Sequence, residues 1–151
     1  MPFRTEMKDD EQYMREALRE AQRALAEREV PIGGVVVCGG RVIARAHNLT
    51  ERLTDVTAHA EMQLIGMAAG FLGGKYLNDC TLYVTVEPCP MCAAALAWAQ
   101  LGRLVYGADD PKRGYTLFFP SLLHPRTEVT AGILAPDCSR LMTDFFKSQR
   151  P

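Results

Sequence analysis

Apolar residues are arranged along the chain in two ways, at the helical period near 3.6 and in short continuous runs, and the switch between them marks the elements. Met14, Ala17, Leu18, Ala21 and Leu25 follow the helical period, so a first amphipathic helix is predicted over about Asp10–Glu27. "VPIGG" breaks it. "VVVC" (Val35–Cys38) is a short apolar run suited to a buried strand, Gly39-Gly40 suits a tight hairpin turn, and "RVIARAH" (Arg41–His47) returns as a second strand. A loop then enters a second helix, with Thr57 as its N-cap and Gly70 as its stop. "TLYVTV" (Thr81–Val86) is a third strand, "EPCPMCAAALAWAQLG" a helix ending at Gly102, and "RLVYGA" (Arg103–Ala108) a fourth strand. Strand, helix and strand make a parallel βαβ unit with a right-handed crossover. A weaker fifth strand is expected near "EVTAGIL", and a last helix starts at Pro136. There is no repeat, low-complexity tract or linker. The pattern reads as one α/β domain over residues 1–151, a mixed five-stranded sheet covered by helices.

Composition narrows the compartment more than the function. A chain of 151 residues is long enough for a sizeable core. No run of about eighteen apolar residues offers a membrane span, and "MPFRTEMKDDEQYM" lacks the apolar stretch of a secretory signal. Five cysteines, an odd number without secretory context, argue against a disulfide framework and for reduced thiols or metal ligands. A cytoplasmic protein is expected. Formal net charge is −1, so no global basic field draws in nucleic acid. From Arg103 onward seven Lys or Arg stand against five Asp or Glu, whereas the first 102 residues hold ten against thirteen. That asymmetry permits an RNA partner, and the ordinary scatter of a solvated surface explains it equally.

The chemistry concentrates in two short motifs. "HAE" puts His59 and Glu61 at the start of the second helix, and "PCPMC" puts Cys89 and Cys92 at the start of the third. Residues three apart on a helix share a face, so both sulfurs can point at one ion. The positive end of a helix favours thiolate over thiol. If the two N-termini meet at one sheet edge, one imidazole nitrogen and two thiolates offer three ligands to zinc. Three is the count for a catalytic zinc that keeps a position for water; a structural site takes four. Two other readings compete. "CPMC" could be half a zinc knuckle, but no second C-x-x-C exists, since Cys38, Cys80 and Cys138 are scattered singly. It could be a redox dithiol at a strand–helix junction, but that leaves His59 and Glu61 without a purpose.

His-x-Glu followed by Pro-Cys-x-x-Cys resembles the signature of zinc-dependent nucleobase deaminases, a pattern long associated with that class. "REVPIGGVVV", His47-Asn48, "TAHAE", "TLYVTVEPCPMC", "VYGADDPK" and the late "DFF" are most similar to the bacterial tRNA-specific adenosine deaminases, over about Tyr13–Lys147. The resemblance implies a cytidine deaminase-like fold, one zinc ion per chain, a homodimer, and conversion of the wobble adenosine of a tRNA anticodon to inosine. His59, Cys89 and Cys92 match the zinc ligands and Glu61 the proton shuttle. Asn48 matches a nucleoside contact, Val30 and Pro31 line the base pocket, and Phe145 and Phe146 lie near the RNA. For Asn48 a plain turn role competes, and for the two phenylalanines core packing at the end of a helix.

One stretch departs from the pattern. After Gly114 the chain reads "YTLFFP" (Tyr115–Pro120) where the family often carries a short Gly/Ser-rich segment. Tyr115, Phe118 and Phe119 could stack on splayed bases, or belong to the core or a dimer surface. The same zinc site serves deaminases of free guanine, cytosine or cytidine, and that is the alternative function. Either way, Glu61 takes a proton from water and delivers it to the base, whose amino group leaves as ammonia. The target base has to be flipped out of its stack to be reached.

Overall fold

The computed structural model describes residues 2–149. Met1, Arg150 and Pro151, the ends of the expected 1–151 domain, lie outside the described residues. In chain order the elements are α1 (Pro2–Ala26), β1 (Gly33–Cys38), β2 (Arg41–His47), α2 (Ala60–Leu72), β3 (Cys80–Val86), α3 (Pro90–Trp98), β4 (Arg103–Ala108), β5 (Glu128–Ala131) and α4 (Ala135–Gln149), with a single 3₁₀ turn at Tyr115–Leu117. The sheet runs β2-β1-β3-β4-β5. β1 is antiparallel to both β2 and β3, and β3, β4 and β5 are mutually parallel. The expected βαβ unit is β3-α3-β4.

Alternation along the strands explains the layers. Val36, Leu82, Val84, Leu104 and Tyr106 point to one face, where they pack with Leu64 and Ala68 of α2 and Leu96 of α3. Their neighbours Val35, Val37, Tyr83 and Val105 point to the other, against Met14, Ala17 and Leu18 of α1 and Cys138 of α4. A sheet buried on both faces needs continuous apolar strands rather than alternating ones, and "GGVVVC" and "CTLYVTV" are such strands. One ion pair crosses this second layer: Arg103 donates to both oxygens of Asp10 at 2.8 and 2.7 Å, and Tyr83 Oη donates to the same carboxylate at 2.7 Å.

Several boundaries differ from the sequence-based expectation. Helix α1 begins at Pro2 rather than Asp10; the fixed φ and missing N–H of proline suit a first helical turn. His59, not Thr57, is the N-cap of α2. Thr57 spends its hydroxyl and N–H upstream on Asp55 Oδ1, at 2.7 and 2.8 Å, closing a turn of the preceding loop. The helix runs through Gly70 to Gly73, whose φ of 73° supplies the left-handed cap. Helix α3 stops at Trp98, well before Gly102, with Gln100 in a left-handed conformation (φ 54°). β5 ends at Ala131, since Gly132 (φ 88°) turns the chain so that Ile133 and Leu134 drop into the second core.

Candidate active site

The site lies at the carboxyl ends of the parallel strands β3 and β4, the position where open α/β sheets leave a crevice. A cavity of about 910 Å³ opens there, bordered by Val86 and Glu87 after β3 and by Ala108 and Asp109 after β4. Helices α2 and α3 both direct their N-termini into it. His59 caps one and Cys89 the other, each with extended backbone and neither side chain engaged in a capping hydrogen bond. Pro90, at the start of α3, has no N–H to satisfy, so the turn that carries Cys89 into the helix is stiff without an unpaired donor. Gln63, one turn into α2, donates to the carbonyls of His47 at 2.7 Å and Ala58 at 3.2 Å. That amide ties the end of β2, next to Asn48, to the turn holding His59.

The ligand geometry fits a tetrahedral cation. With Zn–S near 2.3 Å and Zn–N near 2.05 Å, nitrogen and sulfur ligands of one tetrahedral zinc stand about 3.6 Å apart. His59 Nδ1 is 3.4 Å from Cys92 Sγ and 3.6 Å from Cys89 Sγ, and all three ligand atoms lie within 4.8 Å of one another. Cys92 is buried and Cys89 half-buried. The hydrogen bond from Cys92, followed by that from His59, holds the Cys89 thiol down at about 4, while the same sharing with Cys89 pushes Cys92 up. One sulfur is therefore a thiolate in its own right, and a cation must displace the second proton. Glu61 is almost fully buried beside them. Burial pushes its carboxyl up to about 7, so at neutral pH it both holds and releases a proton.

The cavity gathers some of the remaining expected residues and passes over others. Val30, Asn48 and Phe146 border it together with His59, Glu61 and Cys89. Asn48 is buried, and its Oδ1 accepts the Thr50 N–H at 3.3 Å, so it is a turn residue and a wall residue at once. Pro31 is buried off the wall, because successive residues in extended backbone face opposite ways; Ile32 takes the place beside Val30. Phe145 is buried while Phe146 is exposed, as neighbours about 100° apart on one helix must be. Their rings meet edge to face, 5.2 Å between centroids. In the departing segment Tyr115 turns inward, its ring edge-on to Tyr106 at 6.2 Å, whereas Phe118 and Phe119 are solvent-facing.

A family model for MafB19-like deaminases matches residues 8–150. The tRNA-specific adenosine deaminase of Bacillus subtilis is 44% identical over 149 residues, covering 95% of this chain and 92% of that one. The enzyme of the same name from Agrobacterium fabrum is 45% identical over 143 residues, covering 91% and 94%. The chain belongs to this deaminase family. Among solved structures, one from work on A-to-I editing by tRNA:A34 deaminases at the wobble position superposes with a TM-score of 0.81 at 45% identity, over 86% of this chain and 98% of that one. The guanine deaminase of Bacillus subtilis superposes less well, with a TM-score of 0.63 at 38% identity over 66% and 64%.

Of the buried carboxylates that the sequence analysis did not single out, two brace loops beside the cavity. Glu29 is fully buried and accepts the N–H groups of Glu51 and Arg52 at 3.0 and 2.7 Å. Glu87 is 4% exposed and accepts from Asp110 and Thr116. The only signal for either was a charge abutting an apolar strand, in "REVPIGG" and "TVEPC". On the opposite rim, Met142 and Thr143 of α4 join Phe146 in the wall.

Proposed function

We propose that this chain deaminates the wobble adenosine of a tRNA anticodon to inosine by hydrolysis. The observation that carries the reading is a His–Cys–Cys set at tetrahedral spacing beside a buried glutamate, in a chain similar over nearly all its length to tRNA-specific adenosine deaminases. His59, Cys89 and Cys92 hold one zinc ion per chain. When bound, zinc supplies Lewis acidity that readies a water for attack at C6 of the purine. Glu61 is the proton carrier: it accepts the water proton and passes it to N1, then takes the proton of the hydroxyl added at C6 and delivers it to the departing amino group as the C6 carbonyl forms. Adenosine and water thus become inosine and ammonia, with Glu61 returned to its starting state.

Binding residues divide by what they touch. Asn48 presents its amide to the nucleoside, and Val30 forms the apolar side of the base pocket, with Pro31 holding Val30 extended. Phe146 faces the RNA, and Phe145 acts from behind by fixing the ring of its neighbour. A cavity of about 910 Å³ has room for more than one nucleoside, as a substrate that includes the flanking loop requires. The family resemblance implies a homodimer in the cytoplasm; among the described residues no helix is long and apolar enough to cross a membrane. Solution mass at working concentration tests the dimer.

The deciding experiment offers the purified protein an anticodon stem-loop with adenosine at the wobble position, and separately free adenosine, guanine, cytosine and cytidine. Inosine from the stem-loop and little ammonia from the free compounds is the expected result. Ready release of ammonia from guanine or cytosine, with the stem-loop untouched, overturns the reading in favour of free-base deamination.

A further inference from the structure

Glu87 directly follows β3, two residues before Cys89, with its side chain buried at the border of the cavity. No ion pair among the described residues includes it. Its partners are instead donors from one loop. Oε1 accepts the Asp110 N–H at 3.1 Å, and Oε2 accepts the Thr116 N–H at 3.0 Å and the Thr116 hydroxyl at 2.7 Å. Between those anchors the chain runs through Pro111, Lys112 and Arg113, which form one wall of the cavity. Asp110 Oδ1 accepts the N–H groups of Lys112 and Arg113, so the span folds back on its first anchor. Gly114 is pressed against the carboxylate: a Cβ there would collide with Oε2 and Cδ of Glu87. Beyond it the Tyr115 N–H bonds the Pro88 carbonyl at 2.9 Å.

We infer that Glu87 is a positioning residue for substrate, a buried anionic peg on which loop 109–116 is hung so that its wall stands at a fixed distance from the His59–Cys89–Cys92 set. The inference rests on the RNA-deaminating reading only for the substrate used to observe it. The physical basis is that hydrogen bonds to a charged acceptor are about twice as strong as neutral ones. Three of them, from two points six residues apart in sequence, hold the loop where neither end could alone. Glu87 does not carry protons in the reaction. Its effect passes through Asp110 and Thr116 to the wall, so loss of the peg loosens substrate binding and spares the chemical step.

Glu87→Gln tests this, because an amide keeps one acceptor oxygen and turns an NH₂ toward donors. Expected are one zinc per chain, a stem-loop KM raised about 10- to 100-fold as one or more charge-assisted bonds are lost, and kcat within a factor of about three. Amide exchange at Asp110 and Thr116, measured in the protein without RNA, should quicken by at least about tenfold. Glu87→Asp, which keeps the charge on a shorter stem, should recover part of the KM. Gly114→Ala drives a methyl into the same contact from the loop side and should reproduce the KM rise with zinc retained; it serves if Glu87→Gln fails to fold. Loss of zinc in either folded variant, unchanged exchange at both amides, or a fall in kcat at constant KM would overturn the inference. A wild-type protein inactive on the stem-loop sinks the functional reading instead, while the exchange measurement still judges Glu87.

Discussion

The floor of the cavity and its rim are held by different means. At the floor, His59 and Cys89 occupy helix N-caps, Glu61 and Cys92 follow within the first turns, and both helices are seated on the buried sheet. Every atom that matters is fixed by elements whose cores have no room to shift. At the rim, Asn48, Lys112 and Phe146 stand on a turn, a loop and the outer face of the last helix. There the backbone is secured by single buried acceptors, Glu29 for loop 48–58 and Glu87 for loop 109–116. The difference predicts how substitutions behave. Changes at the floor should abolish turnover at any substrate concentration, and changes at the rim should be partly overcome by more substrate.

The sharpest break in that comparison is removal of the proposed metal ligands. The double variant Cys89→Ala/Cys92→Ala leaves one imidazole, so metal analysis of the purified protein should find no tightly bound zinc and turnover should fall to the uncatalysed level. Cys38→Ser should keep its zinc in full, since Cys38 pairs across strands with Cys80 and lies outside the ligand set. Zinc retained by the double variant would show that the floor is not the metal centre.

Next in size is Glu61→Ala, which removes the proposed proton carrier and none of the proposed ligands. Zinc content should be unchanged, and kcat should drop by about 10² to 10⁴-fold or somewhat more, the upper end reflecting one group used in successive transfers. Activity within about tenfold of wild type would hand the proton to another group.

The same contrast explains what could be read from the chain alone. Floor residues sit two or three positions apart, at helix starts that the apolar pattern locates, so "HAE" and "CPMC" carry their geometry with them. Strands β1, β3 and β4 were legible because short continuous apolar runs rich in β-branched and aromatic residues, bounded by turn residues, suit strands buried on both faces. Rim contacts are non-local: Glu87 reaches partners 23 and 29 residues away, and Glu29 partners 22 and 23 away. No spacing rule encodes them. Phe145 and Phe146 form an intermediate case. The chain identified the pair as relevant, but only the rotation of α4 decided which ring turns inward and which toward the cavity. Thr57 was a reasonable cap by chemistry and lost the role because it is turned upstream, donating its hydroxyl and N–H to Asp55.

Separating those two phenylalanines is the next test. Phe145→Ala should lower stability by about 3 kcal/mol, read as a fall in denaturation midpoint, because it empties a buried site. Phe146→Ala should leave the midpoint nearly unchanged and raise the stem-loop KM by about 5- to 100-fold, the range expected for one lost stacking contact. Equal destabilisation by both would place Phe146 in the core and out of the RNA path.

The smallest expected effect concerns salt. The chain carries a net charge of −1, and the cationic side chains on the cavity wall are Lys112 and Arg113. Each phosphate contact to single-stranded RNA contributes a log–log slope of roughly −0.7, so two contacts give about −1.4 in a plot of binding constant against salt. Lys112→Gln should halve that slope while lowering affinity only modestly at physiological salt. Because the loop stays hung on Glu87, amide exchange at Asp110 and Thr116 should not change, which distinguishes loss of a charge from loss of the wall. A wild-type slope steeper than about −4 would demand more phosphate contacts than this wall can supply. The basic surface would then have to come from elsewhere, and a second copy of the chain beside the cavity would become part of the RNA-binding unit.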